Sequence, residues 1–365
     1  MLNSQLFFLD ARTIANPERM TGVGTITYLL ADYLDKHGIG INLLFDQEPL
    51  VSFSHHRSHI LASRSRPAWE QWLLPKFLRQ KKATLFHATW NYGLPWYGYR
   101  GKTVLTVHDL IPLETPPKRA TPRDLMGYAY YRYATSQDIS RADRIVTVSE
   151  TSQLAIIRHY PAARNKTTVV TNAIHPVFFT NYAAGPPPST TYLLYVGGLD
   201  QRKNIELIIQ ALALLPERIA LRITGEANGF ETVLARLAQK YNVNRRVHFT
   251  GYVPRSNLAK LMQEALAVVY PSLAEGFGLP IIEALATGVP VIASNIPVFR
   301  ELGGHQIRLI NPRKTEELRD AVKSILALST AERRKEIQRG QAYAKQFSSE
   351  LLGEKMLKVY DQVSL

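Results

Sequence analysis

Two glutamates eight positions apart, Glu275 and Glu283, bracket a Gly-rich turn, Gly276-Phe277-Gly278-Leu279, that runs into Pro280. A carboxylate only accepts hydrogen bonds, so each of these acids is suited to gripping hydroxyl groups. Proline suits the first turn of a helix, and Gly288 suits the position just past a helix end. The spacing predicts a loop, a short helix over about 280–287 and a buried strand over 289–293. Backbone N–H groups at the start of such a helix can face an anion. Glu275 then stands beside the anion and Glu283 one turn into the helix. An anion cradle flanked by two hydroxyl grips is the chemistry of a sugar nucleotide. The plainer alternative is a loop–helix–strand unit with solvated glutamates.

A second constellation is Gly197-Gly198-Leu199-Asp200-Gln201-Arg202-Lys203-Asn204. Asn204 suits the N-cap of a helical pattern over 205–215. Two cations just before a helix N-terminus oppose its dipole, which favours anions. A bound diphosphate resolves that conflict, with Arg202 as a fork and Lys203 as a point charge; an exposed basic loop is the alternative. His108-Asp109 ends the apolar run KTVLTV, where a histidine is commonly structural. Arg12 precedes Gly22-Val23-Gly24, and GVGTIT lacks the third glycine of a dinucleotide fingerprint. Ser149-Glu150 and Asn172 follow strand-like runs, and Arg300-Glu301 lies downstream of the glutamate pair. His55, His56 and His59 have no neighbouring carboxylate before Glu70, so no metal site is expected there. No DxD-type pair stands ready for a divalent cation. Arg202, Lys203 and the helix N-terminus are expected to neutralise a diphosphate, with no metal or other cofactor.

The elements that must position these residues alternate. Apolar runs QLFFLD, INLLFD, ATLFHAT, KTVLTVHD, DRIVTVSE and TTVVTNAI are separated by helical patterns such as 26–36 and 124–142. After NYAAGPPPST the rhythm restarts with YLLYVGG, IALRITGE, VHFTGYV and ALAVVYPS. Short apolar strands alternating with helices predict doubly wound parallel sheets, one on each side of a linker. In such sheets ligands lie beyond the carboxyl ends of the strands, where all the motifs above fall. At 365 residues the chain accommodates two domains. It has no cysteine, which fits a reducing compartment, and Leu6–Leu9 reads as a first strand rather than a signal peptide. No run approaches the ~18 apolar residues of a membrane span. Net charge is +14. Residues 54–82 hold seven Lys and Arg against Glu70 alone, interleaved with Trp69, Trp72, Leu73, Leu74, Phe77 and Leu78. Three readings of this stretch stay open: a solvated face over an amphipathic helix, an anionic membrane surface, or nucleic acid.

The segment 275–291 resembles the E-G-F-G-L-P-x-x-E-A-x-A-x-G-x-P-V signature of retaining glycosyltransferases of the GT-B fold, glycosyltransferase family 4 (group 1). Gly197–Asn204 resembles that family's G-G-x-x-x-x-K-N, residues 107–112 its V-H-D-L-x-P, and Arg12 with Gly22 and Gly24 its N-terminal loop. Ser149-Glu150 resembles V-S-E. Asn172 resembles N-G with Ala173 in place of the glycine, and 297–304 resembles P-x-x-x-E-x-x-G. The resemblance implies a GT-B protein: two Rossmann-like doubly wound parallel-sheet domains facing a central cleft. An acceptor domain over 1–180 and a donor domain over 190–346 would be joined by a linker at 181–189, with the C-terminal helix 347–365 packing back on the first. Donor-binding residues would be Gly24, Gly198, Arg202, Lys203, Glu275, Gly276, Phe277, Gly278, Leu279 and Glu283. Glu275 would meet the sugar and Glu283 the ribose, and His108, Glu275, Arg202 and Lys203 would carry catalysis. Arg12, Gly22, Asp109 and Ser149 would face the acceptor. The implied reaction moves a sugar, with mannose from GDP-mannose as the leading expectation, to a hydroxyl of a glycan or polyprenyl-diphosphate oligosaccharide in exopolysaccharide or lipopolysaccharide assembly. The expected location is cytoplasmic, peripheral on the inner membrane. A nucleotide-sugar epimerase and a nucleic-acid-binding protein are the rival readings; no motif supports the second.

Overall fold

The computed structural model describes residues 4–16, 20–115, 121–179, 191–226 and 228–364. They form two compact units, Met1–Ala173 with Ser349–Leu365, and Ile174–Ser348.

The first unit is built on a seven-stranded sheet of β1 (Phe7–Asp10), β2 (Asn42–Phe45), β3 (Arg57–Ile60), β4 (Leu85–Ala88), β5 (Lys102–Val107), β6 (Arg144–Thr147) and β7 (Thr167–Val169). The order is β3-β2-β1-β4-β5-β6-β7, with every pairing parallel. Strands β1, β2 and β4 are buried along their whole length, which is why they read as unbroken apolar runs rather than alternating ones. The helix Gly22–Lys36 buries Ile26, Leu29, Leu30, Tyr33 and Leu34, one face at helical spacing. The terminal helix Ser349–Ser364 docks beside it, where Gly353 lies so close to Tyr33 that an added Cβ would stand 2.0 Å from the ring. Its Tyr360 hydroxyl meets His87 Nδ1 at 2.8 Å, and its ring lies 4.7 Å from that of Phe7.

Strand β3 was not anticipated. Arg57-Ser58-His59-Ile60 is an edge strand with mostly exposed side chains, so it carries no apolar run. Beyond it, residues 66–80 are helical with a π-turn at Trp69–Leu73. Trp69, Leu74 and Leu78 enter the core while Trp72 is 72% exposed. The amphipathic reading of this stretch therefore holds for 66–80 only. The three histidines serve the fold separately. His56 Nε2 is 2.8 Å from Ala31 O, His59 Nε2 is 2.8 Å from Asn42 Oδ1, and His55 lies 3.5 Å from Asp35.

The second unit holds a six-stranded parallel sheet, β8 (Thr191–Val196), β9 (Ile219–Thr224), β10 (Val247–Gly251), β11 (Ala267–Tyr270), β12 (Val291–Ser294) and β13 (Arg308–Ile310), in the order β10-β9-β8-β11-β12-β13. Strand β13 also went unread, being three residues of which only Ile310 is fully buried. The first unit ends at Ala173, ahead of the expected boundary at 180. The Ile174 N–H donates to Phe347 O, and the turn Pro176–Phe178 packs on helices of the second unit. The linker expected at 181–189 lies outside the described residues. Among the described residues, no helix is long and apolar enough to cross a membrane.

Candidate functional site

In the second unit, the loops after β8 and β11 meet. Tyr195, on β8, donates its hydroxyl to Gly198 O at 2.7 Å and so shapes the exposed glycine turn. Asp200 Oδ1 accepts the Arg202 and Lys203 N–H groups at 2.9 and 3.3 Å, winding Gln201–Lys203 into a 3-10 turn. Asn204 follows with φ +55°, a left-handed conformation that asparagine tolerates better than most residues. It stands at the N-cap position of the helix Ile205–Leu212, as its type suggests, but its side chain makes no capping hydrogen bond. Its side-chain amide instead donates to Pro271 O at 3.1 Å and Pro312 O at 2.8 Å, tying three loops together.

The two cations that follow Asp200 converge on Glu275. Lys203 Nζ lies 2.6 Å from Glu275 Oε1 and 3.1 Å from the Tyr270 hydroxyl. Arg202 Nη1 donates to Ala274 O at 2.6 Å and lies 3.1 Å from Glu275 Oε2. Burial alone would raise the Glu275 carboxyl, but the charges of Lys203 and Arg202 outweigh it and hold the group below the usual carboxylate range. Glu275 is thus an ionised, doubly paired acid. Tyr270, which completes this cluster, was missed; the signal was its place at the end of the apolar run AVVY.

Beyond Glu275, Gly278 has φ +119°, and a Cβ there would stand 2.9 Å from the Phe299 ring. Only glycine fits that turn without strain. The helix Leu279–Thr287 begins with proline in its first turn and closes on Gly288 at φ +83°, as its sequence predicts. The N–H groups of Phe277 and Gly278 have no hydrogen-bond partner among the described residues. Glu283 is buried in this helix and makes no hydrogen bond among the described residues. Burial lifts its carboxyl to about 7, against the charge of Arg255. The second unit therefore presents two cations, loop N–H groups of Phe277 and Gly278 and a buried carboxyl, the last two making no hydrogen bond among the described residues, all at the carboxyl ends of its strands. Arg300, in the neighbouring helix, bonds Asn295 at 2.8 Å rather than the loop.

The site residues expected in the first unit fall differently. His108 is held by a backbone N–H bond to Asn91 Oδ1 at 2.8 Å, and its Nε2 lies 3.0 Å from Thr89 O. A carbonyl only accepts, so Nε2 carries the proton and Nδ1 is the acceptor. Burial lowers the His108 pKa, keeping the ring neutral. Asn91, which also donates to Asp109 O at 2.9 Å, was missed and fixes both residues of the His-Asp pair. Asp109 Oδ1 accepts the Ile111 N–H at 3.0 Å and starts a short helix.

Arg12 does not project freely toward an acceptor. It donates to Asp10 at 2.7 Å, approaches Glu70 at 3.3 Å and lies 3.7 Å over the Trp69 ring. Gly22 and Gly24 sit in the first turn of a helix rather than in a loop before it, and Gly24 faces Thr13 O, where a Cβ would come within 2.5 Å. Ser149 is buried and caps the helix Glu150–His159, accepting the Ser152 N–H at 3.0 Å. Asn172 is buried beside Ala173, which is absent from the positive-φ residues, so alanine is tolerated there.

Residues 20–178 match the family described as Glycosyltransferase Family 4, and residues 183–343 match Glycosyl transferases group 1. The chain is 32% identical over 294 residues to O-antigen chain mannosyltransferase B of Escherichia coli, covering 75% of this chain and 73% of that one. It belongs to glycosyltransferase family 4. This family 4 member is also 28% identical over 305 residues to O-antigen chain mannosyltransferase RfbU of Salmonella typhimurium, covering 82% and 80% of the two chains. Its fold resembles sucrose-phosphate synthase from Thermosynechococcus elongatus, with TM-score 0.77, 22% identity and 98% of each chain covered. The two Rossmann-like parallel-sheet units are those of the GT-B plan. The protein is a glycosyltransferase acting on hexoses.

Proposed function

We propose that this glycosyltransferase moves mannose from GDP-mannose to a hydroxyl of a growing O-antigen-type glycan, with retention of anomeric configuration. The observation that carries this reading is the convergence of Arg202, Lys203, Glu275 and the unpartnered N–H groups of Phe277 and Gly278 in the second unit. The donor diphosphate would lie against the two cations and the loop, with Gly198, Gly276 and Leu279 giving it close backbone approach. Its charge draws Arg202 and Lys203 partly away from Glu275, whose oxygens then turn to the sugar hydroxyls. Glu283, which makes no hydrogen bond among the described residues, accepts the ribose hydroxyls. As the glycosidic C–O bond breaks, negative charge grows on the leaving phosphate, where two cations and oriented N–H groups stabilise it. The departing phosphate then takes the proton of the incoming hydroxyl on the same face of the sugar. His108, in the first unit, is neutral with Nδ1 unprotonated and so able to accept from a hydroxyl, and no metal is needed in this scheme.

The choice of mannose rests on the two relatives, which are named O-antigen chain mannosyltransferases. The acceptor would carry a lipid diphosphate. Exposed Trp72 and Leu73 stand in the same basic stretch as Arg64, Arg66 and Lys76, suited to an anionic membrane surface. The test is incubation with GDP-mannose, UDP-glucose, UDP-N-acetylglucosamine and dTDP-rhamnose in parallel, each with a polyprenyl-diphosphate oligosaccharide, followed by NMR of the product. Transfer from GDP-mannose to an α-linked product is expected. A β-linked product overturns retention, transfer from another donor alone overturns the mannose assignment, and donor conversion without acceptor favours an epimerase.

A further inference from the structure

We propose that the second unit carries another binding site, for a compact phosphate-bearing metabolite, in the cavity between β13 and the helix Thr330–Ala344. This goes beyond the donor site, with which it shares no residue. The cavity measures about 480 Å³, within the ~300–1,000 Å³ typical of small-molecule sites. Its ionisable lining consists of His305, Arg308, Glu332, Lys335, Glu336 and Arg339.

Both acids are already engaged. Glu336 pairs bidentately with Arg308, one contact being 2.9 Å. Glu332 closes a capping box, its Oε2 accepting the Ser329 N–H at 2.9 Å and the Ser329 hydroxyl at 2.6 Å. Lys335, Arg339 and His305 have no hydrogen bond or ion pair among the described residues. Lys335 and Arg339 lie one turn apart on the helix, and His305 faces the cavity from the turn Gly304–Gln306. A fork, a point charge and a titratable ring around one cavity suit a phosphate, which the guanidinium can bind through two parallel N–H bonds.

The wall of this cavity also leans on the donor helix. Gly340, one residue past Arg339, packs against Leu285, where a Cβ would stand 3.1 Å from Leu285 Cδ2. Occupancy of the cavity is therefore placed to bias the helix that carries Glu283.

The test is calorimetric titration of metal-free inorganic diphosphate into the full-length protein. An R202A/K203A variant is expected to retain one diphosphate site, and adding K335Q/R339Q is expected to weaken it at least tenfold. Unchanged affinity after K335Q/R339Q, or no binding to R202A/K203A, overturns the proposal. A second readout covers any loss of fold in these variants. The His305 ring resonance of the unaltered protein should shift as diphosphate is added; a stationary resonance overturns the site. Vesicles of phosphatidylglycerol separate a lipid headgroup from a free metabolite. Vesicle binding that is lost in K335Q/R339Q, without soluble diphosphate binding, overturns the metabolite assignment. Failure of the donor reading shows elsewhere, as undiminished GDP affinity in R202A/K203A.

Discussion

Glu275 accepts from Lys203 and Arg202, and Glu283 accepts from no described residue; the two acids of one motif are in opposite electrostatic states. The sequence showed the acids and cations but not that one acid clamps both cations, because residues 202–203 and 275 are far apart in the chain. That contrast gives two expectations. Glu275→Gln removes the partner of two cations, costing about 3 kcal/mol of stability in chemical denaturation. It should leave GDP affinity intact or higher while transfer falls by on the order of 100-fold. Weakened GDP binding would show that Glu275 orders the cations rather than competing for them. Glu283 lies at about 7 in the folded protein and at ~4.3 when unfolded. Between those values the native state holds a proton that the unfolded chain has released. Stability from this group is thus fully present below about pH 4 and is lost as pH rises through about 7. Asp138, also lifted to about 7 by burial, acts in the same window. Glu283→Gln should therefore gain on the unaltered protein by about 3 kcal/mol between pH 5 and pH 7.5. Parallel stability curves would contradict that account.

At the scale of elements, the glycines and prolines gave away the donor loop. Pro280, Gly288 and the apolar run after it fixed the loop and helix to within a residue, while the strand begins two residues later than expected, at Val291. Elements without such punctuation stayed hidden. Strands β3 and β13 are short and mostly polar or half-buried, so neither carries an apolar run. Asn204 does stand at the N-cap of the helix Ile205–Leu212, but with a left-handed φ and with its side chain committed to a loop junction rather than to the helix. Arg12, Gly24 and Ser149 read as ligand contacts because their motif matched; the structure adds a structural duty for each, an ion pair, a close helix approach and a helix cap, that their motif did not show. Gly278 is the sharpest probe of the loop. Gly278→Ala must adopt φ +119° and push on Phe299, at a cost of about 1–3 kcal/mol. GDP affinity should fall with little change in circular dichroism; unchanged affinity would separate the loop from donor binding.

At the scale of the whole molecule, the parallel α/β class and the division into two units were legible, since strand–helix alternation breaks once, at the proline-rich stretch 186–188. The return of the tail to the first unit was not legible from periodicity, because the apolar face of Ser349–Ser364 does not say which neighbour it covers. Gly353 against Tyr33 and Tyr360 against His87 decide it. Gly353→Ala should therefore lower the unfolding temperature by the equivalent of about 1–3 kcal/mol, through overpacking in the first unit alone. GDP binding by the second unit should be unaffected, and a joint loss would tie the tail to donor binding. The central claim is that the second unit holds the donor diphosphate between Arg202, Lys203 and the loop 275–279. Titration of GDP into the unaltered protein and into R202A/K203A, followed by calorimetry, tests it most directly. Saturable binding that weakens at least 100-fold in the variant is the expected result; equal affinity in the two proteins would contradict the account.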